Sequence, residues 1–238
     1  MTTEAGPVRA PAGAQAVRRA LDVLHSFHDN GPDLSASDLA RRLGLSTSTA
    51  HRLARTLLGA GFLEQDARTA RYRLGPAVTE LGRLSYHQRG LHLATPELRD
   101  LAERTGACAD LALRSGGYAV VVAGGSVTPR VGLRRPLHTT APGQVLLAFA
   151  PAEQSGAEPA VRERGYAVDE GASAPEARTL AVPVLERSGH ARFALAVRAA
   201  PSVLTDERLD WFLARARACA RALEVLLLAP GERRAPEA

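Results

Sequence analysis

With 238 residues, 45% of them hydrophobic and 23% charged, the chain has the balance of a globular protein of one large or two modest domains. No apolar run approaches the ~20 residues that span a bilayer, and Met1 to Gly13 lacks the apolar core of a secretory signal, so a cytoplasmic location is the default expectation. The net charge of +5 points to a polyanionic partner, though weakly, because all 30 basic residues are Arg and none is Lys. Cys108 and Cys219 have no CxxC partner or clustered His; they read as small buried side chains rather than as a disulfide or a zinc site.

Residues 1–14, with Pro7 and Pro11 among Thr, Gly and Ala, read as a disordered lead-in. From Ala16 to His28, Val17, Leu21, Leu24 and Phe27 recur at helical spacing, and Asn30-Gly31-Pro32 ends that helix. Ser35 is the candidate N-cap of the next, with Asp38 completing a capping box and Leu34 and Leu39 at the staple positions. This helix stops at Gly44. The turn Gly44-Leu45-Ser46 leads into a third helix, capped by Ser46, whose inner stripe is Ala50, Leu53, Ala54 and Leu57. Gly59 and Gly61 close it. Phe62–Gln65 and Arg71–Leu74 then read as two short strands around a polar turn.

Helix, helix, tight Gly turn, helix and hairpin is the order of a winged helix-turn-helix, here over residues 15–76. Val78, Leu81, Leu84 and Leu91 predict a connecting helix over 77–94. Beyond it, Cys108–Leu113 with Tyr118–Ala123, and Thr179–Leu185 with Phe193–Val197, read as hairpins. Leu98–Glu103, Gly143–Phe149 and Arg208–Leu228 read as helices, the last capped by Thr205. Hairpins interleaved with helices predict an α+β domain on an antiparallel sheet over residues 95–230, followed by a charged, frayed tail over 231–238.

With the inner stripe of the third helix assigned, Thr47, Ser48, Thr49, His51, Arg52 and Arg55 are left on its outer face, after the Ser46 cap. Hydroxyls at a helix N-terminus suit phosphates and base edges, and Arg52 and Arg55 suit guanine edges or phosphates. The plain alternative is a solvated polar face. Arg68, Arg71 and Arg73, with Thr69 at the tip, add a basic cluster on the adjoining hairpin, suited to phosphate or minor-groove contact. Its alternative is an edge strand charged against aggregation. Two basic features on one surface point to double-stranded DNA.

The segment AVRRALDVLHSF, followed by LSASDLARRLGLSTSTAHRLARTLLGAGFLEQDARTARYRLGPAVTELG, resembles the N-terminal domain of the IclR-type bacterial transcriptional regulators. The second half resembles the same family at LRRPLHTTAPGQVLLA (Leu133–Ala148), RGYAVD (Arg164–Asp169) and LAVPV (Leu180–Val184). The resemblance implies a GAF-like α+β domain that takes a small organic acid or aromatic effector. It assigns one wall of the pocket to His138, Thr139, Thr140, Ala141, Pro142 and Gly143, and polar contacts to Asp169, Thr179, Ala196 and Arg198. The residues agree in part: a Gly-Pro-hydroxyl loop opening a helix at Gly143 offers N–H groups to an anion, and Arg198 can pair with a carboxylate. Two departures from the family pattern stand out. The stretch between Pro151 and Glu163 is shorter than usual, and Thr179 and Gln144 replace a common Cys and Lys, so effector identities do not carry over.

No GxSxG, HExxH or GxxxxGK is present, and His138 with Asp110 or Asp169 makes no recognisable triad, so no catalytic residue, metal or cofactor is expected. The expected function is sequence-specific regulation of transcription, with repression as the expected sign. A homodimer or dimer of dimers would sit on a pseudo-palindromic operator whose affinity an effector in the second domain adjusts. In the alternative, the helix-turn-helix is a protein-protein interaction module with a sensor domain and no DNA output.

Overall fold

The computed structural model describes residues 12–28, 31, 33–125, 131–154, 156, 159–172 and 176–234. Asn30 and Pro32 of the expected helix stop, and most of the lead-in, lie outside this set. The chain divides between Ser85 and Tyr86 into two compact units.

In the first unit α1 spans Ala12–His25, so residues 12–14 are helical rather than part of a lead-in. The high helix propensity of Ala12 and Ala14 lets the amphipathic helix extend back toward the N-terminus. Helix α2 (Ala36–Leu43) opens on the Ser35–Asp38 capping box, both reciprocal bonds present, and closes on Gly44 at φ 62°, a left-handed conformation that favours glycine. Helix α3 (Thr47–Gly59) follows after the three residues Gly44, Leu45 and Ser46, and buries Ala50, Leu53, Ala54 and Leu57. Strands β1 (Leu63–Gln65) and β2 (Tyr72–Leu74) pair antiparallel, and Leu34 bridges to Tyr72. Gly75 closes the base of this hairpin. A Cβ there would lie 2.3 Å from the Gly61 carbonyl oxygen, so only glycine fits without moving backbone.

Val23, Phe27, Leu34, Leu39, Leu63 and Tyr72 join the α3 stripe in one core. The Tyr72 hydroxyl is buried in it without a hydrogen-bond partner. An unsatisfied buried hydroxyl costs about 1–3 kcal/mol of desolvation. Tyr72→Phe is therefore expected to raise the stability of this unit by about 1 kcal/mol, seen as a later urea midpoint.

The expected single connecting helix is two. Helix α4 (Pro76–Gln88), which contains the boundary between the units, and α5 (Leu91–Thr105) are separated at Gly90, whose φ is 67°. The helix expected over Leu98–Glu103 is the second half of α5, because Pro96 lies inside that helix instead of breaking it. Strands β3 (Cys108–Ser115), β4 (Tyr118–Gly124), β5 (Arg134–Pro136), β6 (Ala167–Glu170), β7 (Arg178–Leu185) and β8 (Ala191–Ala199) form one sheet in the order β5-β4-β3-β8-β7-β6. Every pairing is antiparallel. The hairpins β3–β4 and β7–β8 are the expected ones; β5 and β6 come in addition.

The two faces of this sheet differ in side-chain size. Leu111, Leu180, Val182, Val184, Phe193, Leu195 and Val197 pack on one face against α5 and α8 (Leu209–Leu227). Ala112, Ala167, Ala181 and Ala194 lie on the other, against α6 (Ala141–Ala148), with Val161 of α7 (Pro159–Arg164) in the same cluster. Alanines let α6 approach closely, and α6 is apolar on nearly all sides, as a fully enclosed helix must be. Helix α8 begins on Arg208, not on a Thr205 cap; Thr205–Arg208 form a turn in which the Arg208 N–H donates to the Thr205 carbonyl. The expected frayed tail is tied down as far as Arg234, which grips the buried Glu224 carboxylate.

Candidate nucleic-acid interface and effector site

The reading face of α3 follows from its buried stripe. Thr47, Ser48, His51, Arg52 and Arg55 are exposed, and the spacing of Ser48, Arg52 and Arg55 places them along one side. Ser46 instead holds the start of the helix, where its hydroxyl accepts the Thr49 N–H at 3.3 Å and lies 2.8 Å from Thr49 Oγ1. Among the described residues Arg52 and Arg55 have no side-chain partner, so both guanidinium groups are available to an outside acceptor.

The wing arginines divide into held and free. Arg71 bonds the Asp33 carboxylate at 2.5 Å and lies 3.5 Å from Asp38, tying the hairpin to the start of α2. Arg73 bonds Glu64 across the strand pair. Only Arg68, at the exposed tip beside Thr69, is without an ionic partner among the described residues. Of the three wing cations, two therefore shape the hairpin and one projects from it. The tip is built by Asp66, whose carboxylate accepts the N–H groups of Arg68 and Thr69 at 2.8 Å each, while Ala70 takes φ 54°.

These bonds, Thr69's first and then Arg68's, hold the Asp66 carboxyl below its ordinary value of 3.8. A lowered folded value means the contribution is present above the ordinary carboxylate range and lost as pH falls through the folded value. Asp66→Asn is expected to show the same loosening at neutral pH, as faster amide exchange of Arg68 and Thr69.

In the second unit the register assembles a polar row at one end of the alanine-lined face. Asp169 pairs with Thr179, Thr179 with Arg198 and Arg198 with Cys108, each in direct register. Side chains on one face alternate along each strand, so Asp110 and Ala196, two residues from Cys108 and Arg198, share that face. Asp110, Asp169, Thr179 and Thr140 are all buried. The expected contacts Asp169, Thr179, Ala196 and Arg198 are thus brought together.

Two expectations change. Helix α6 begins at Ala141, not Gly143, and its first N–H is not open to an anion: the Asp169 carboxylate accepts it at 2.7 Å. Pro142 has no N–H, and the Gln144 N–H bonds the Thr140 carbonyl, so Asp169 supplies the negative charge at this helix N-terminus. Arg198 is likewise engaged, its Nη1 lying 3.0 Å from Asp110 Oδ2. Asp110, considered in the sequence only as a triad member, is the contact that sequence reasoning missed; its place in the β3 alternation was the available signal.

His138 is exposed, with its ring next to Gly156. Thr140 donates its hydroxyl to the Pro136 carbonyl at 2.8 Å. Gly143 packs against Leu137, where a Cβ would fall 2.2 Å from the carbonyl oxygen. Two buried atoms of the row, Thr179 Oγ1 and Asp110 Oδ1, have no hydrogen-bond partner.

The IclR helix-turn-helix domain profile matches residues 16–67, and the C-terminal domain profile of the bacterial IclR regulators matches residues 159–225. The transcriptional regulator XynR of Escherichia coli K12 is 30% identical over an alignment of 233 residues that covers 83% of this chain and 91% of XynR. The chain belongs to the IclR family of transcriptional regulators. The transcriptional repressor AllR of Klebsiella pneumoniae is 32% identical over 152 residues, covering 61% of this chain and 56% of AllR.

Among solved structures, an IclR regulator from Silicibacter sp. TM1040 superposes with a TM-score of 0.79 at 26% identity, over 93% of this chain and 98% of the other. An IclR homologue from Microbacterium hydrocarbonoxydans, solved with 4-hydroxybenzoate, gives a TM-score of 0.69 at 24% identity, over 88% and 99% of the two chains. Family membership makes the protein a DNA-binding regulator rather than an enzyme, and sets aside the reading of the helix-turn-helix as a protein-protein module. No helix among the described residues is long and apolar enough to cross a membrane, and no group of three His, Cys, Asp or Glu among them could hold a metal ion.

Proposed function

We propose that this IclR regulator is a repressor that reads a pseudo-palindromic operator as a homodimer and is controlled by a small hydroxylated acid or aromatic. The observation that carries the DNA reading is the exposed α3 face with Arg52 and Arg55 uncommitted. Helix α3 of each protomer enters the major groove, and Arg68 meets phosphate or the minor groove. Dimerisation uses the exposed apolar residues of the first unit, Val17 and Leu21 on α1 and Leu81 and Leu84 on α4. Repression is the sign carried by the relative AllR.

The effector class follows from the orphaned atoms of the polar row. Arg198 is already matched by Asp110, so a bare carboxylate gains little there, whereas Asp110 Oδ1 can only accept a hydrogen bond while it is ionised. A ligand hydroxyl donating to Asp110 Oδ1, or bonding Thr179 Oγ1, completes the row. The 4-hydroxybenzoate bound by the Microbacterium homologue has that chemistry.

Salt-dependent operator binding tests the DNA assignment. Arg68→Ala is expected to reduce the slope of log K against log [salt] by about 1. Arg71→Ala removes a charge already matched by Asp33 and Asp38, and is expected to lower affinity by loosening the wing with little change in slope. Equal slope changes in both variants would show the wing to be a simple charge cluster. Thermal-shift screening with hydroxybenzoates, hydroxy acids and their deoxy counterparts tests the effector class: the reading predicts stabilisation by the hydroxylated member of each pair, lost in Thr179→Val.

A further inference from the structure

At the end of the sheet opposite the polar row, α7, the free edge of β7, α8 and the C-terminal segment line a cleft of about 330 Å³. Strand β6 pairs with β7 only as far as Ala181, so the β7 edge from Val182 onward has no strand partner. Pro183 presents no N–H there, and the Leu185 N–H is taken at 3.0 Å by the Glu224 carboxylate. Phe149, Pro183 and Leu185 give the cleft apolar walls.

Four guanidinium groups line it: Arg162 from α7, Arg217 and Arg221 from α8, and Arg234 beyond α8. Among the described residues the sole carboxylate in the lining is Glu224, which is fully engaged by Arg234 and the Leu185 N–H. Among the described residues Arg162 and Arg217 donate only to backbone carbonyls, those of Ala148 and Arg164, which leave their charge unmatched there. Arg221 has no partner among the described residues. Like charges four residues apart on a helix, as Arg217 and Arg221 are, repel each other, and Arg162 adds to them from a separate element. Apolar walls concentrate such a field within a cleft.

We propose that this cleft is an anion site, separate from the effector row, that takes a small di- or trianionic metabolite: a phosphate ester or a polycarboxylate. The uncompensated charge calls for a multivalent anion, and each guanidinium fork fits two oxygens of a phosphate or carboxylate. The volume suits a small molecule. Thr179 and Leu185 lie six residue steps apart on extended strand, roughly 20 Å, so one small ligand cannot occupy both places.

Calorimetric titration of the full-length protein with inorganic pyrophosphate and with citrate, each against sodium chloride at matched ionic strength, tests the proposal. Saturable binding of at least one probe, with a Kd below about 1 mM, is expected; which probe binds tells phosphate from polycarboxylate. The exposed pair changed together, Arg217→Gln with Arg221→Gln, should weaken that binding at least about tenfold, and so should Arg162→Gln alone. Thr179→Val should leave it intact.

No saturable binding of either probe, or unchanged binding in the arginine variants, overturns the site. A fall in operator affinity in the Arg217/Arg221 variant as large as that of Arg68→Ala also overturns it, by making the cleft a DNA contact.

Discussion

Arg52→Ala is expected to weaken operator binding by about 10- to 100-fold while lowering non-specific DNA binding much less. The structure leaves few other routes to such a loss. Arg52 is exposed at the middle of the outer face of α3, and no side chain among the described residues holds its guanidinium. Its backbone carbonyl accepts the Thr56 hydroxyl, a bond that alanine keeps. Alanine is at least as good a helix former as arginine, so α3 and its buried stripe survive the change. A drop in affinity therefore reports a contact made outside the molecule, and the ratio of specific to non-specific loss reports whether that contact is to a base or to a phosphate. Competition binding against scrambled DNA at fixed salt gives both quantities. Retained sequence preference would move the reading role elsewhere on the first unit.

What the sequence made visible, and what it did not, follows from distance along the chain. The Ser35–Asp38 box, the Gly44 stop and the four-residue stripe of α3 are local, each set by residues within one or two helical turns. All were legible. The partners of the arginines were not. Arg71 meets Asp33 across 38 residues, Asp169 meets the Ala141 N–H across 28, and Arg198 meets Asp110 across 88. In each case the sequence shows a charged residue of the right kind in the right region but not whether the fold supplies its counter-charge. That is why three wing cations reduce to one free one, and why the helix N-terminus expected to take an anion is already occupied. The separate helix expected over Leu98–Glu103 failed for another reason. A proline inside a helix removes one backbone hydrogen bond, and here α5 runs through it because Leu91, Ala94, Leu98 and Leu101 on its inner face are buried against the sheet and α8.

Asp110→Ala is expected to destabilise the second unit by about 3–5 kcal/mol, because it strands Arg198 in a site only 12% exposed, where no other carboxylate among the described residues bonds it. Taken alone, that result would say little about function, since breaking any buried ion pair is costly. The informative variant replaces both partners, Asp110→Leu with Arg198→Met. Buried ion pairs exchanged for apolar side chains of similar size often leave stability unchanged or improved. Thermal unfolding of the double variant is therefore expected to return close to that of the natural protein. Its response to a hydroxylated effector, measured as a shift in operator affinity, should nevertheless be lost, because the acceptor Asp110 Oδ1 is gone. Stability restored and response lost separates recognition from folding. A restored protein that still answers its effector would place the ligand outside the polar row. A double variant as unstable as the single one would mean that the shape of the pair, not its charge, holds this end of the sheet to α6.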